Sequence, residues 1–144
     1  MANYLEPFED TNDLFNQIIE VADLKRFVNI TILVNNRAKD LYKITKANDL
    51  LKFRAGDDII IVLNEGIFEE LPNDLKLIVV EEAISSISYD SEHDKVSITK
   101  EDFTAHSGIL RKYSFETIER LRETVKSLYQ KEKEEEDETE AITG

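Results

Sequence analysis

Apolar positions recur along the chain at two spacings, three-to-four residues and two residues, and the switch between them lays out the predicted elements. Leu14, Phe15, Ile18, Ile19 and Ala22 share one face of a helix that Thr11 or Asn12 can cap and that ends near Lys25 and Arg26. Val28, Ile30, Ile32 and Val34 then alternate with Asn29, Thr31 and Leu33, a strand pattern closed by the turn-prone pair Asn35-Asn36. Leu41–Ile44 reads as a short strand, and Thr45 as the cap of a brief helix holding Leu50, Leu51 and Phe53 before Gly56 stops it. The run Asp58–Asn64 (DIIIVLN) is continuous and β-branched, which predicts a strand buried on both faces and central in its sheet.

Gly66–Leu71 follows as a helical turn, and Leu71-Pro72-Asn73-Asp74 starts a helix with proline and an acid in its first turn. That helix is expected from Asn73 to Ser88, burying Leu75, Ile78, Val79, Ala83 and Ile87. After the polar turn Asp90–Asp94, Lys95–Thr99 (KVSIT) reads as a strand, and Lys100–Lys112 as a helix with Phe103, Ile109 and Leu110 inward. Ser114 can cap a last helix whose apolar stripe is Ile118, Leu121, Val125 and Leu128. The predicted fold class is α+β, a small mixed sheet packed by four to five helices.

Charge adds a boundary that the periodicity does not show. The 144 residues carry a net charge of −13, and residues 130–144 hold seven acids against two bases, a net −5 that leaves −8 on residues 1–129. With no apolar residue before Ala141, the segment 130–144 is expected to be the frayed end of a helix running into a disordered acidic tail, and 1–129 the folded domain. The acidic balance argues against direct binding of nucleic acid through bulk charge, which depends on Lys and Arg displacing counterions, and points to a protein partner with a basic surface. No cysteine is present, so disulfides, thiolate metal sites and a cysteine nucleophile are excluded. The longest apolar runs fall far short of the roughly 20 residues of a membrane helix, and Met1–Asp10 lacks the plan of a signal peptide. A cytoplasmic protein with no membrane association is the expectation.

Chemistry-bearing residues are sparse. His93 lies in a charged turn, His106 reads as a half-buried side chain, and the four glycines are isolated, so no triad or phosphate loop is formed. Arg111, Lys112, Arg120, Arg122 and Lys126 gather near the C-terminus, but Glu116 stands four before Arg120 and Glu119 three before Arg122, the spacing of intrahelical ion pairs. Tyr113, Phe115 and Tyr129 are expected to close the core rather than stack bases.

Leu71-Pro72 introduces an apolar helix (Leu75–Val80), the strand Lys95–Thr99 follows, and Ile109-Leu110-Arg111-Lys112-Tyr113 closes the frame. In this arrangement the segment from Leu71 to Tyr113 resembles a family of phage metallopeptidases. The family's helix carries His-Glu-x-x-His, two histidines one turn apart for zinc and a glutamate as general base, and a later His-Asp pair supplies another ligand. The matching residues here are Glu81, Glu82, Ala83, Ile84 and Ser85, with Glu101-Asp102 at the later position. The resemblance thus implies a zincin-like frame that keeps the general-base glutamate as Glu82 and has Glu81, Ser85 and Glu101 where imidazoles belong. Two carboxylates and a hydroxyl make a poor zinc site, so no cofactor and no metal are expected. Glu81 and Glu82 themselves read as a solvated helix edge.

The function this reading favours is a catalytically inactive, metallopeptidase-like protein of phage origin that binds host or phage machinery in the bacterial cytoplasm. One alternative is an acidic mimic of nucleic acid that blocks a DNA-binding protein. The other is a hydrolase with unorthodox carboxylate ligands.

Overall fold

The computed structural model describes residues 4–98 and 113–143, with backbone alone for Leu51 and for 136–143. Among the described residues five helices and five strands run in the order α1 (Glu9–Val21), β1 (Ile30–Val34), β2 (Tyr42–Lys46), α2 (Asp49–Ala55), β3 (Ile59–Leu63), α3 (Glu65–Glu69), α4 (Asn73–Ser85), β4 (Ile87–Asp90), β5 (Lys95–Ile98) and α5 (Phe115–Thr143). The fold class is α+β. β3 lies at the centre of a three-stranded mixed sheet, parallel to β1 and antiparallel to β2. Its Ile61 is in register with Ile32 on one side and Ile44 on the other.

The central place of β3 was legible in its sequence, but the burial on both faces expected for it is not found. Ile59, Ile61 and Leu63 are buried against the helices while Ile60 and Val62 are only half-buried. A three-stranded sheet is too narrow for side chains on its second face to be fully covered without a second helical layer.

Several boundaries move. Phe8, not Thr11 or Asn12, is the N-cap of α1, with no side-chain cap. The Glu65 carboxylate takes the N–H of Phe8 instead, at 2.8 Å, and places negative charge at the helix's positive end. Thr11 is buried one turn inside. α1 stops at Val21, and Ala22 is exposed, because Asp23 adopts φ +57 and turns the chain so that Leu24 enters the core instead. Thr45 belongs to β2 rather than capping α2, whose Leu50 and Phe53 project into solvent. Gly56, at φ +77, ends α2 as expected. Asn64 caps α3, accepting from the N–H of Ile67 and donating to the carbonyl of Ala38.

The largest difference follows α4. It was expected to reach Ser88; it ends at Ser85, and Ile87 opens β4, which pairs antiparallel with β5 through Ile87–Ile98 and Tyr89–Val96. The run Ser86–Tyr89 alternates polar and apolar, a strand signal hidden behind the stronger helical period before it. The predicted helix 100–112, with Phe103, Ile109 and Leu110, lies outside the described residues.

α4 is the hub. Leu75, Ile78, Val79, Val80, Ala83 and Ile84 are all buried, so it is apolar nearly all round, the mark of a helix enclosed by its neighbours. α1 packs on it through Phe15 and Ile19, and Phe15 meets Phe68 of α3 with ring centroids 6.3 Å apart. α5 adds Ile118 and Leu121, with Val125 and Leu128 partly buried, as its stripe predicted. Ser114 caps α5, its hydroxyl accepting from the N–H of Thr117. Phe115, expected in the core, is exposed because it follows the cap on the solvent side.

Tyr129 follows Leu128, the last residue of α5 packed on the core. Its hydroxyl donates to the Ala38 carbonyl, and burial, reinforced by nearby Glu132 and Asp40, pushes it up to about 12. Beyond it the helical backbone continues to Thr143, through the acidic segment, and the described side chains from Gln130 to Glu135 are exposed or, for Glu132, half-buried. Like charges crowd the negative end of the helix dipole there, and a helical extension without apolar packing is marginal in water. No helix among the described residues is long and apolar enough to cross a membrane.

Candidate functional site

The residues matched to the family's His-Glu-x-x-His motif, Glu81 to Ser85, occupy the last turn of α4. Glu81 and Ser85 are one turn apart and so lie on one side of the helix, and Glu82 is turned toward β2 and α5. Glu82 is not a solvated edge. Its residue is only 7% exposed, a level at which a carboxylate needs partners to offset lost hydration. The Tyr42 hydroxyl donates to its Oε1 at 3.1 Å, and the Arg122 guanidinium stands 3.9 Å from the same oxygen. Glu82 therefore ties together β2, α4 and α5.

Glu81 is half-buried and accepts the Tyr113 hydroxyl on Oε2 at 2.8 Å. Ser85 is exposed, and its hydroxyl donates to the carbonyl of Glu82 at 2.9 Å, the local backbone bond that serine commonly makes near a helix end. Glu101 and His106 lie outside the described residues, as do Arg111 and Lys112.

Above Glu82 opens a groove of about 480 Å³. Leu41, Ile44, Val79, Ile98, Leu121 and Val125 form its apolar walls, with Asp40 and Arg122 beside them. The structure thus brings a carboxylate, a phenol and a guanidinium to the floor of an apolar groove.

The arrangement suits zinc poorly. Zinc in helical sites draws on imidazole, and here the donors are carboxylates and a hydroxyl. Glu82 already faces a guanidinium, whose positive charge opposes a divalent cation at the same oxygen. Among the described residues, the group of three His, Cys, Asp or Glu side chains near enough to share an ion is Asp90, Glu92 and His93. It is an exposed turn between β4 and β5 in which His93 Nδ1 meets Asp90 Oδ2 at 2.7 Å, as expected for a histidine in a charged turn.

The intrahelical ion pairs expected on α5 give way to longer-range ones. Arg120 reaches Asp74 at the start of α4, 3.2 Å away, and Arg122 reaches Glu82. Sequence spacing favours neighbours on one helix, but a guanidinium can as easily turn to a carboxylate on the helix packed beside it. Tyr42 was not singled out in the sequence, and Arg122 was read as the intrahelical partner of Glu119; the fold carries both to Glu82.

A family model described as putative phage metallopeptidase matches residues 3–130. The chain belongs to that family, and the match extends far beyond the residues from Leu71 to Tyr113 that carry the resemblance. No curated protein and no solved structure matches the chain.

Proposed function

We propose that this chain is a member of its family that has left metal chemistry and acts by binding a protein partner. The observation that carries the reading is the state of Glu82. A general base of a zinc hydrolase must face the water on the metal, within hydrogen-bond reach of it. Glu82 is instead engaged by Tyr42 and Arg122 from two other elements, a role in holding the fold. At the positions the family gives to imidazole, Glu81 accepts the Tyr113 hydroxyl and Ser85 donates to the backbone of its own helix. A retained fold with an altered site is compatible with a new function, because activity resides in the site and not in the frame.

Exposed apolar side chains outside the core, among them Phe8, Leu50 and Phe53, support contact with another protein. A row of exposed acids on α5, Glu116, Glu119 and Glu123, continued by the acidic segment, favours the nucleic-acid mimic as the second reading.

The test combines elemental analysis with an assay for zinc-dependent peptide hydrolysis on the full chain and on Glu82→Gln. The expected outcome is no stoichiometric zinc and no hydrolysis in either protein. One zinc per chain, with hydrolysis lost in Glu82→Gln, would return the protein to the metallopeptidases. Competition by duplex DNA for a captured partner, with affinity falling steeply in salt, would instead favour the mimic, since exposed charges are screened over about 8 Å at physiological ionic strength.

A further inference from the structure

A second groove, of about 530 Å³, lies at the other end of α4, between its first turns, α1 and α3. Thr11 of α1, among its lining residues, is only 2% exposed, and its hydroxyl donates to Glu69 Oε1 at 3.2 Å, tying α1 to α3. Leu14 and Leu77, each half-buried, line the groove together with the Phe68 ring.

The polar rim is acidic. Asp10 and Asp13 are exposed beside it. The base that lines it, Lys76, is already engaged: its ammonium lies 3.6 Å from Glu69 and 5.7 Å from the centre of the Phe68 ring. An apolar floor beside two exposed carboxylates of α1 is complementary to a segment that is apolar on one side and cationic along the flank that meets them. From Asp10 to Gln17 the groove follows about two turns of α1, roughly 11 Å at 1.5 Å per residue. Two packed helices offer a seat for a third, with apolar anchors spaced three and four apart.

We propose that the groove between α1 and α4 receives a basic amphipathic helix of a partner protein. This rests on the binding reading above and names the partner's chemistry. The groove is formed by the opposite end of α4 from Glu82, so the two sites can be tested apart.

The probe is a synthetic amphipathic helical peptide of leucine and lysine, with a counterpart carrying glutamate for lysine, titrated into the full chain. Amide chemical shifts and fluorescence anisotropy are the readouts. The lysine peptide should bind and shift amides around Leu14, Gln17, Asn73 and Leu77, and the glutamate peptide should not bind. The double variant Asp10→Lys, Asp13→Lys should weaken binding about tenfold, roughly a few-fold for each reversed rim charge. Leu77→Ser, which changes no charge, should weaken it by a similar factor. Reversing Glu116 and Glu119 on α5 should leave affinity within about twofold. An equal loss from the α5 reversals would show attraction to bulk negative charge, and full affinity in Leu77→Ser would show no apolar seat; either overturns the proposal. Failure of the groove in a chain free of zinc and hydrolysis overturns the groove alone, whereas zinc-dependent hydrolysis lost in Glu82→Gln overturns the reading beneath it.

Discussion

The two grooves that flank α4 put carboxylates to opposite uses. At the C-terminal end Glu82 is drawn below the surface, and the phenol of Tyr42 and the guanidinium of Arg122 converge on one of its oxygens. At the N-terminal end Asp10 and Asp13 stay at the rim in water, and the acid nearest the floor, Glu69, is neutralised by Lys76. Both grooves are apolar beneath. What separates them is whether a donor from a distant element reaches the acid, and this decides whether the carboxylate serves the fold or remains available to a partner.

The same contrast recurs at the far end of the sheet. Asp58 is buried just before β3, where the N–H of Asn29 reaches it at 2.9 Å and the ammonium of Lys52 at 2.9 Å. Burial works to raise its carboxyl, and the Asn29 and Lys52 hydrogen bonds outweigh that, leaving it below the usual carboxylate range. Like Glu82, it fastens separate elements, here the start of β1, α2 and β3.

The comparison can be broken or sharpened in four ways. The largest effect is expected from Phe68→Ala, since that ring is 1% exposed and is both core and groove floor; truncating a buried phenylalanine costs about 3–5 kcal/mol, to be read from the urea midpoint. A loss below about 1 kcal/mol would mean that the N-terminal groove does not rest on the core. Next comes Glu82→Ala, expected to cost about 1–3 kcal/mol because the Tyr42 hydroxyl loses an acceptor in an apolar setting. If that variant were as stable as the parent, the fold role of Glu82 would be refuted.

The third concerns pH. A carboxyl whose folded pKa lies below its unfolded value stabilises the fold at neutral pH, and that contribution fades as pH falls from the unfolded value through the folded one. Thermal midpoints of the parent should therefore drop on acidification more than those of Asp58→Asn, and parallel curves would contradict the assignment. The smallest effect is expected at the rim. Asp13→Ala should shift stability by less than about 0.5 kcal/mol, as surface changes usually do; a larger loss, seen in the same urea titration, would show that the rim acids are also part of the fold.

Much of the framework was readable from periodicity because periodicity is local. The helical stripe of α5, the central strand β3 and the Pro72 start of α4 each follow from residues close in the chain, as does the Ser114 cap. β4 escaped because four residues of strand follow thirteen of helix, and the helical signal carries past its true end. The candidate site was half legible: the resemblance picked out Glu81, Glu82 and Ser85, but the residues by themselves read Glu81 and Glu82 as a solvated edge, whereas Glu82 is buried and Glu81 half-buried.

The sequence by itself determined an α+β fold with a strongly apolar central helix, a net negative charge concentrated toward the C-terminus, and membership of the phage metallopeptidase family. Only the tertiary structure decided which of the acids are buried. Asp58, Glu65 and Glu82 look no different in sequence from their exposed neighbours. Their donors, Asn29, Phe8 and Tyr42, lie 29, 57 and 40 residues away along the chain. A carboxylate leaves water only where the fold delivers a hydrogen-bond donor to meet it, and that meeting is a property of three-dimensional packing which no local pattern records.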